Sequence, residues 1–282
     1  VSKNTRPRIA HARRGVACRS HRFSEICPRP GSHHSLGPRT SSHPMPASLV
    51  TETGCPGLSL MPASTALATL ERRLVGAEGM GLRAEGLSTH VMIPAWHLAH
   101  YISPSAAEQG LRVLTSSWSR HHVNISLCRA KTNGHYVNSM LALNTAIKAG
   151  FDETLMLDPE GYVAEGSAEN VFLVRDGVLH TPEVTSCLQG ITRDSVITLA
   201  RDRLGMTMRE RRITRDELYT ADEAFFTGTA AEILPIRELD GRRIGRTDQR
   251  PVTRELQALY RRLVRGDLAS DLAAYGDWLQ AV

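Results

Sequence analysis

Four short stretches carry residue types that do chemistry. In RAKTNGHY (129–136), Lys131 stands alone in a polar, glycine-containing turn, with Tyr136 five positions on. A lysine amine forms Schiff bases when its surroundings lower its pKa or hold it against a carbonyl group; a lysine in a turn is more often simply solvated. In EGSAENVF (165–172), Glu165 closes one strand-like stretch and Asn170 opens the next, which is either a working carboxylate or the charged rim of a polar loop. In LQGITR (188–193), a glycine precedes a helix start. Unpaired backbone N–H groups beside the Thr192 hydroxyl suit a phosphate, although an ordinary cap reads the same way. In TGTAAEI (227–233), small residues follow an apolar strand, which lets backbone amides approach an anion or merely makes a tight turn.

The elements that must position these residues are legible in the periodicity. Residues 88–101 have a strand-like core, and 111–120 alternate as a strand does. Residues 138–149 repeat apolar positions at helical spacing and stop at Gly150. Residues 153–166 predict strand, turn at Asp158–Gly161, strand; 170–182 predict a hairpin turning at Arg175–Gly177. A helix over 191–205 is expected to be opened by Thr192, carry Asp194 in its first turn and stop at Gly205. Residues 223–239 predict two strands around a Gly-Thr turn, and 251–266 an amphipathic helix. Mixed strands and helices leave both α/β and α+β open.

Composition limits the function classes. The chain has 282 residues, 41% hydrophobic, enough for one large domain or two ordinary ones. No run of about 18 apolar residues offers a membrane span, and no signal-peptide stretch precedes the first elements. Five scattered cysteines without CxxC spacing fit a reducing cytosol rather than a zinc site or disulfide framework, so no metal and a cytoplasmic location are expected. Residues 1–50 hold nine Lys+Arg against one Asp+Glu, and the remainder 25 against 28, so the net +5 comes from the first fifty residues. The basic balance therefore is not a nucleic-acid signal for the folded part, and aromatic interleaving for base stacking is missing. Residues 1–75, rich in Arg, His, Ser and Pro, show no sustained period and are expected to be a low-complexity, disordered or non-native segment. His33 and His34 have no ligand spacing.

Taken together and in order, the four stretches resemble the class IV aminotransferases, the fold-type IV pyridoxal-phosphate enzymes. Glu165-x-Ser167-x-x-Asn170-Val171-Phe172, Leu179-x-Thr181 and Leu188-x-Gly190-Ile191-x-Arg193 match that family's signature, and RAKTNGHYVNS, EGSAENVF and GTAAEI are most similar to branched-chain amino-acid aminotransferases. The resemblance runs from about Gly79 to Val264. It implies a mixed α/β fold: a remnant of a small N-terminal domain over 76–105 and a cofactor-binding large domain over 106–282. It implies transamination of leucine, isoleucine and valine with 2-oxoglutarate by a homodimer or higher homo-oligomer, without nucleic-acid or membrane partners. Alternatives are a D-amino-acid aminotransferase or 4-amino-4-deoxychorismate lyase of the same fold, or an inactive truncated fragment.

The resemblance also implies roles. Lys131 would hold pyridoxal 5'-phosphate covalently and move the substrate proton, and Tyr136 would bond the cofactor's ring oxygen. Glu165 would face the pyridine nitrogen, and Leu188 would pack on the ring. Ile191 and Thr192 would bind the phosphate with Thr229, while backbone amides of Thr229 and Ala230 would take the substrate carboxylate. The family's phosphate-binding arginine has no counterpart that can be assigned; Arg72 and Arg73 lie near such a position in a poor match. His135 stands where the family usually has Asn, and Asn144 and Cys187 match no functional position. The abrupt change of composition near residue 75 is what a frameshifted or misplaced reading frame would produce upstream of an intact catalytic domain.

Overall fold

The computed structural model describes residues 66–69, 72–75, 88–92, 95–98, 102–265 and 275. The expectations for residues 1–65, His33 and His34 included, lie outside the described residues.

Two small antiparallel pairs come first. Strand β1 (Ala66–Thr69) pairs with β4 (Ala95–Leu98), and β2 (Arg72–Val75) pairs with β3 (Thr89–Met92). Regular pairing thus begins upstream of residue 76, inside the last ten residues of the stretch expected to lack it. Arg72 and Arg73 sit in β2 opposite Met92 and Val91. Helix α1 (Pro104–Gln109) follows, capped by the Ser103 hydroxyl on the Ala106 N–H, and it straddles the expected boundary at 105–106.

A nine-stranded sheet forms the body. Its strands are β5 (Leu111–Thr115), β6 (Glu153–Leu157), β7 (Val163–Glu165), β8 (Asn170–Arg175), β9 (Val178–Thr181), β10 (Met208–Glu210), β11 (Glu223–Gly228), β12 (Glu232–Leu239) and β13 (Arg242–Arg243). They run in the order β10-β9-β8-β11-β12-β5-β6-β7, with β13 beside β12. The pairs β10–β9, β12–β5 and β5–β6 are parallel and the rest antiparallel, so the sheet is mixed.

The central strands are apolar on both faces because both faces are covered. Val171, Leu173 and Phe226 join one buried cluster with Leu111, Val113 and Leu155. Their neighbours Phe172, Val174 and Phe225 join another, beneath α3 (Ile191–Leu204) and α5 (Pro251–Arg265). Phe172 and Phe225, directly opposed across β8 and β11, stack with ring centroids 5.1 Å apart. Helix α5 contributes Leu256, Tyr260 and Leu263 from one face, and Glu223 holds its start by accepting the Val252 and Thr253 N–H groups.

Most expected elements are present: α2 (Val137–Lys148), the β6–β7 and β8–β9 hairpins, α3, β11, β12 and α5. Asp176 and Gly177, both at positive φ, make the β8–β9 turn. Two boundaries differ. The strand expected over 111–120 ends at Thr115, where Asp240 accepts both the Thr115 N–H (2.5 Å) and its hydroxyl (2.5 Å). Helix α3 is not opened by Thr192: Gly190 is the N-cap with no side-chain cap, and Thr192 is buried in the first turn. A Cβ at 190 would come within 2.1 Å of Asn170 Oδ1, so any side chain there would have to push Asn170 aside. The short α4 (Arg215–Tyr219) was not anticipated.

Candidate active site

The sheet brings the four stretches together. Asn170, at the start of β8, lies opposite Thr227, near the end of β11, so the acidic loop and the Gly-Thr turn share one sheet end. Asn170 Nδ2 donates to the Leu188 carbonyl (2.7 Å), which ties the loop before α3 to the same end. Arg129 joins the lysine turn to that loop by donating to Gln189 Oε1 (2.7 Å). Lys131 is exposed just before a 3-10 turn over Asn133–Tyr136, and its Nζ lies 5.8 Å from the Tyr136 ring centroid.

Glu165 is the electrostatic centre. It is buried at the end of β7, with Arg120 Nε 2.7 Å from its Oε1 and the Leu188 N–H donating to Oε2 (3.1 Å). The Arg120 N–H is not aligned on that oxygen, so the contact is an ion pair rather than a directed hydrogen bond. Burial pushes the Glu165 carboxyl up to about 7; Arg120, the Leu188 N–H and Lys131 pull it down, and Glu169 pushes it up. A carboxyl so placed gains from one more cationic partner, which a protonated ring nitrogen supplies. Glu153, in β6, accepts from the Thr154 and Ser167 N–H groups (2.7 and 3.2 Å) and so steadies the loop that follows Glu165. Burial and the neighbouring Glu169 raise Glu153 to about 8.

Two buried polar atoms suit a bound ligand. Tyr136 Oη and Thr227 Oγ1 have no hydrogen-bond partner, a costly arrangement unless a bound group supplies one. The first turn of α3 has no side-chain cap, and Thr192 places its hydroxyl 3.5 Å from Tyr260 Oη. Open N–H groups at the start of a 14-residue helix form an anion seat. The partially exposed Leu188 and exposed Ile191, Thr229 and Ala230 line the loops around this end. These residues fit pyridoxal phosphate: an exposed amine, a free phenol, a buried carboxyl and an uncapped helix start at one sheet end.

The profile of the family described as Amino-transferase class IV matches residues 76–239. The chain belongs to that family. The branched-chain-amino-acid aminotransferase of Pseudomonas aeruginosa is 59% identical over 203 residues, which cover 72% of this chain and 64% of the relative. That of Escherichia coli K12 is 44% identical over 195 residues, covering 68% and 63%. The chain thus spans less than two thirds of these curated relatives' length. Among solved structures, the T.th. branched-chain amino acid aminotransferase complexed with N-(5'-phosphopyridoxyl)-L-glutamate superposes with a TM-score of 0.68 at 43% identity, over 73% of this chain and 67% of that one. Its form with pyridoxamine 5'-phosphate gives 0.69 at 44% identity, over 73% and 68%. The mixed sheet is therefore that of fold-type IV aminotransferases.

Arg120, Asn170 and Thr227 were not assigned site roles from sequence. Arg120 follows a strand with no acidic neighbour in sequence, and its partner Glu165 is 45 positions away. Asn144 is exposed on α2 and Cys187 is buried, with its thiol pushed up to about 12 by burial. His135 Nδ1 lies 3.3 Å from the Ala130 carbonyl and so braces the lysine turn. No metal-binding group of His, Cys, Asp and Glu occurs among the described residues, and no helix among them is long and apolar enough to cross a membrane.

Proposed function

We propose that the chain is a pyridoxal-phosphate-dependent aminotransferase of the branched-chain type, passing the amino group of leucine, isoleucine or valine to 2-oxoglutarate. The observation that carries this is the convergence of Lys131, the partnerless Tyr136 hydroxyl and buried Glu165 beside an uncapped helix start. The names and ligands of the similar structures support it.

When bound, pyridoxal phosphate supplies an electron sink for the substrate's α-carbon. Lys131 holds the cofactor and, once its amine is free, takes and returns the α-proton. Tyr136 donates to the ring oxygen. Glu165, fixed by Arg120 and the Leu188 N–H, holds the proton at the pyridine nitrogen. The first-turn N–H groups of Ile191 and Thr192 seat the phosphate together with Thr229, and Leu188 covers the ring face. The Thr229 and Ala230 amides take the substrate carboxylate. We place the cofactor-binding large domain in 106–282, a remnant of a smaller domain in 76–105, and a non-native stretch upstream, whose strands β1 and β2 pair with β4 and β3 of that remnant. The working state in this reading is a cytoplasmic homodimer or higher oligomer. Exposed Ile125, Leu127, Val137 and Met140 beside the lysine turn supply an apolar face for such an assembly.

The test is to incubate the chain with pyridoxal phosphate, reduce with borohydride and map the label by mass spectrometry. Selective labelling at Lys131, lost in Lys131→Ala, followed by a leucine half-reaction supports the proposal. Scattered labelling replaces it with the inactive-fragment reading. Selective labelling with turnover of D-alanine but not leucine points to the D-amino-acid enzyme.

A further inference from the structure

Helix α5 turns a row of cations toward α1. Arg254, Gln257 and Arg261 fall at spacings of three and four residues on one face of α5, and Arg250, at positive φ, immediately precedes the helix. They line a cavity of about 420 Å³ together with Pro104, Ala107 and Glu108 of the α1 segment and Pro235 of β12. None of these residues belongs to the active-site motifs.

The cations there outnumber their partners. Arg250 is buried (3% of its side chain exposed); among the described residues its Nε has no hydrogen-bond partner and its terminal nitrogens reach only Asp248, at 3.3 Å. Asp248 is shared with Arg243, 2.9 Å away. Arg261 pairs with Glu232 at 3.3 Å, on the surface. No carboxylate among the described residues is in ion-pair contact with Arg254, whose charge acts against Arg250 along with that of Arg243. Burial is the larger force lowering the Arg250 pKa, and Asp248 and Glu223 oppose it. The start of α5 is not itself the seat, because Glu223 already accepts the Val252 and Thr253 N–H groups. A buried guanidinium with a spare donor is a costly arrangement that a divalent oxyanion relieves, and the exposed Arg254 beside it adds a second positive charge with no counter-ion among the described residues.

We propose that the cleft between α1 and α5 binds a small phosphate-bearing anion, with Arg250 and Arg254 taking the phosphate and Arg261 the remainder of the molecule, while Gln257, whose amide donates to the Ile233 carbonyl (2.8 Å), only lines the wall. About 420 Å³ lies within the usual range for small-molecule pockets, so the cavity has room for more than the phosphate alone. Glu108, on the opposite wall, opposes anions and limits affinity.

The experiment is calorimetric titration of the full chain with inorganic phosphate and with glycerol 2-phosphate. Ionic strength is held constant with chloride, and the chain is first loaded with pyridoxal phosphate and borohydride-reduced so that the cofactor seat is filled. If the chain takes up no cofactor, the same titrations run on the unloaded chain, and the variants decide which seat is read. The variants are Arg254→Gln and Glu108→Gln, both at exposed positions, so that folding is retained. The expected result is saturable one-to-one binding, weakened about tenfold or more by Arg254→Gln and tightened several-fold by Glu108→Gln. Tighter binding of glycerol 2-phosphate identifies an organic phosphate as the ligand; equal binding identifies phosphate alone. Absence of saturation, or affinities that neither variant moves, overturns the proposal.

Discussion

Glu165→Gln separates what this carboxyl does for the reaction from what it costs the fold. Burial lifts the group from 4.5 to about 7, a displacement worth on the order of 3 kcal/mol. The folded chain binds this proton more tightly than the unfolded chain. The contribution to stability is therefore complete below pH 4.5 and is lost as the pH rises through about 7. Glutamine cannot titrate and removes that dependence. It also brings a pH-independent penalty of about 1–3 kcal/mol, because its amide must point an N–H at either Arg120 or the Leu188 N–H. The diagnostic quantity is thus the change with pH of the difference between variant and parent. Glu153, raised to about 8, titrates in both proteins and cancels in that difference. Urea unfolding of the cofactor-free chains at pH 5 and pH 8, at one ionic strength, measures it. Relative to the parent, the variant should gain on the order of 2–3 kcal/mol between the two pH values, while losing about a hundredfold or more in turnover. A pH-independent stability difference would refute the burial argument. Unchanged turnover would refute the role at the ring nitrogen.

Gly190→Ala should cost about 1–3 kcal/mol and weaken cofactor binding, because the new methyl displaces Asn170 from the Leu188 carbonyl; a urea midpoint equal to the parent's would contradict it. Glu223→Ala should release the start of α5 at a cost of about 2 kcal/mol, seen as faster amide exchange at Val252 and Thr253 than elsewhere in the helix. Cys187, whose thiol is pushed up to about 12, should resist disulfide-exchange reagents at pH 8 until urea exposes it; rapid labelling of the folded chain would show the burial to be wrong.

The sequence reading was sharpest where the signal is local. The Asp176-Gly177 turn, the Gly205 stop of α3 and the short apolar runs of β8 and β11 follow from residue types within a few positions. It missed what depends on distant partners. Thr115 ends its strand because Asp240, 125 positions later, takes its N–H. Gly190 rather than Thr192 is the cap, and the space a side chain at 190 would need is taken by Asn170, 20 positions earlier. Arg120 has no nearby acid in the sequence and becomes part of the site only when the sheet places Glu165 beside it. The motif residues were legible as chemistry one by one; the burial of Glu165 and its ion pair with Arg120 were not.

The order of strands across the sheet governs how the chain reaches this state. β5 lies beside β12, with Leu111 opposite Ile236, so the middle of the sheet joins segments about 125 residues apart. At roughly 5–20 residues per second on the ribosome, β5 waits on the order of 10 s for its neighbour to emerge. During that interval its apolar edge is open, and the parallel β5–β6 pair has no strand on that side. Long-range parallel pairing is slow even after synthesis. The sheet centre is therefore the last part able to close, and yield on expression should respond to temperature and chaperone supply more than to changes in the hairpins.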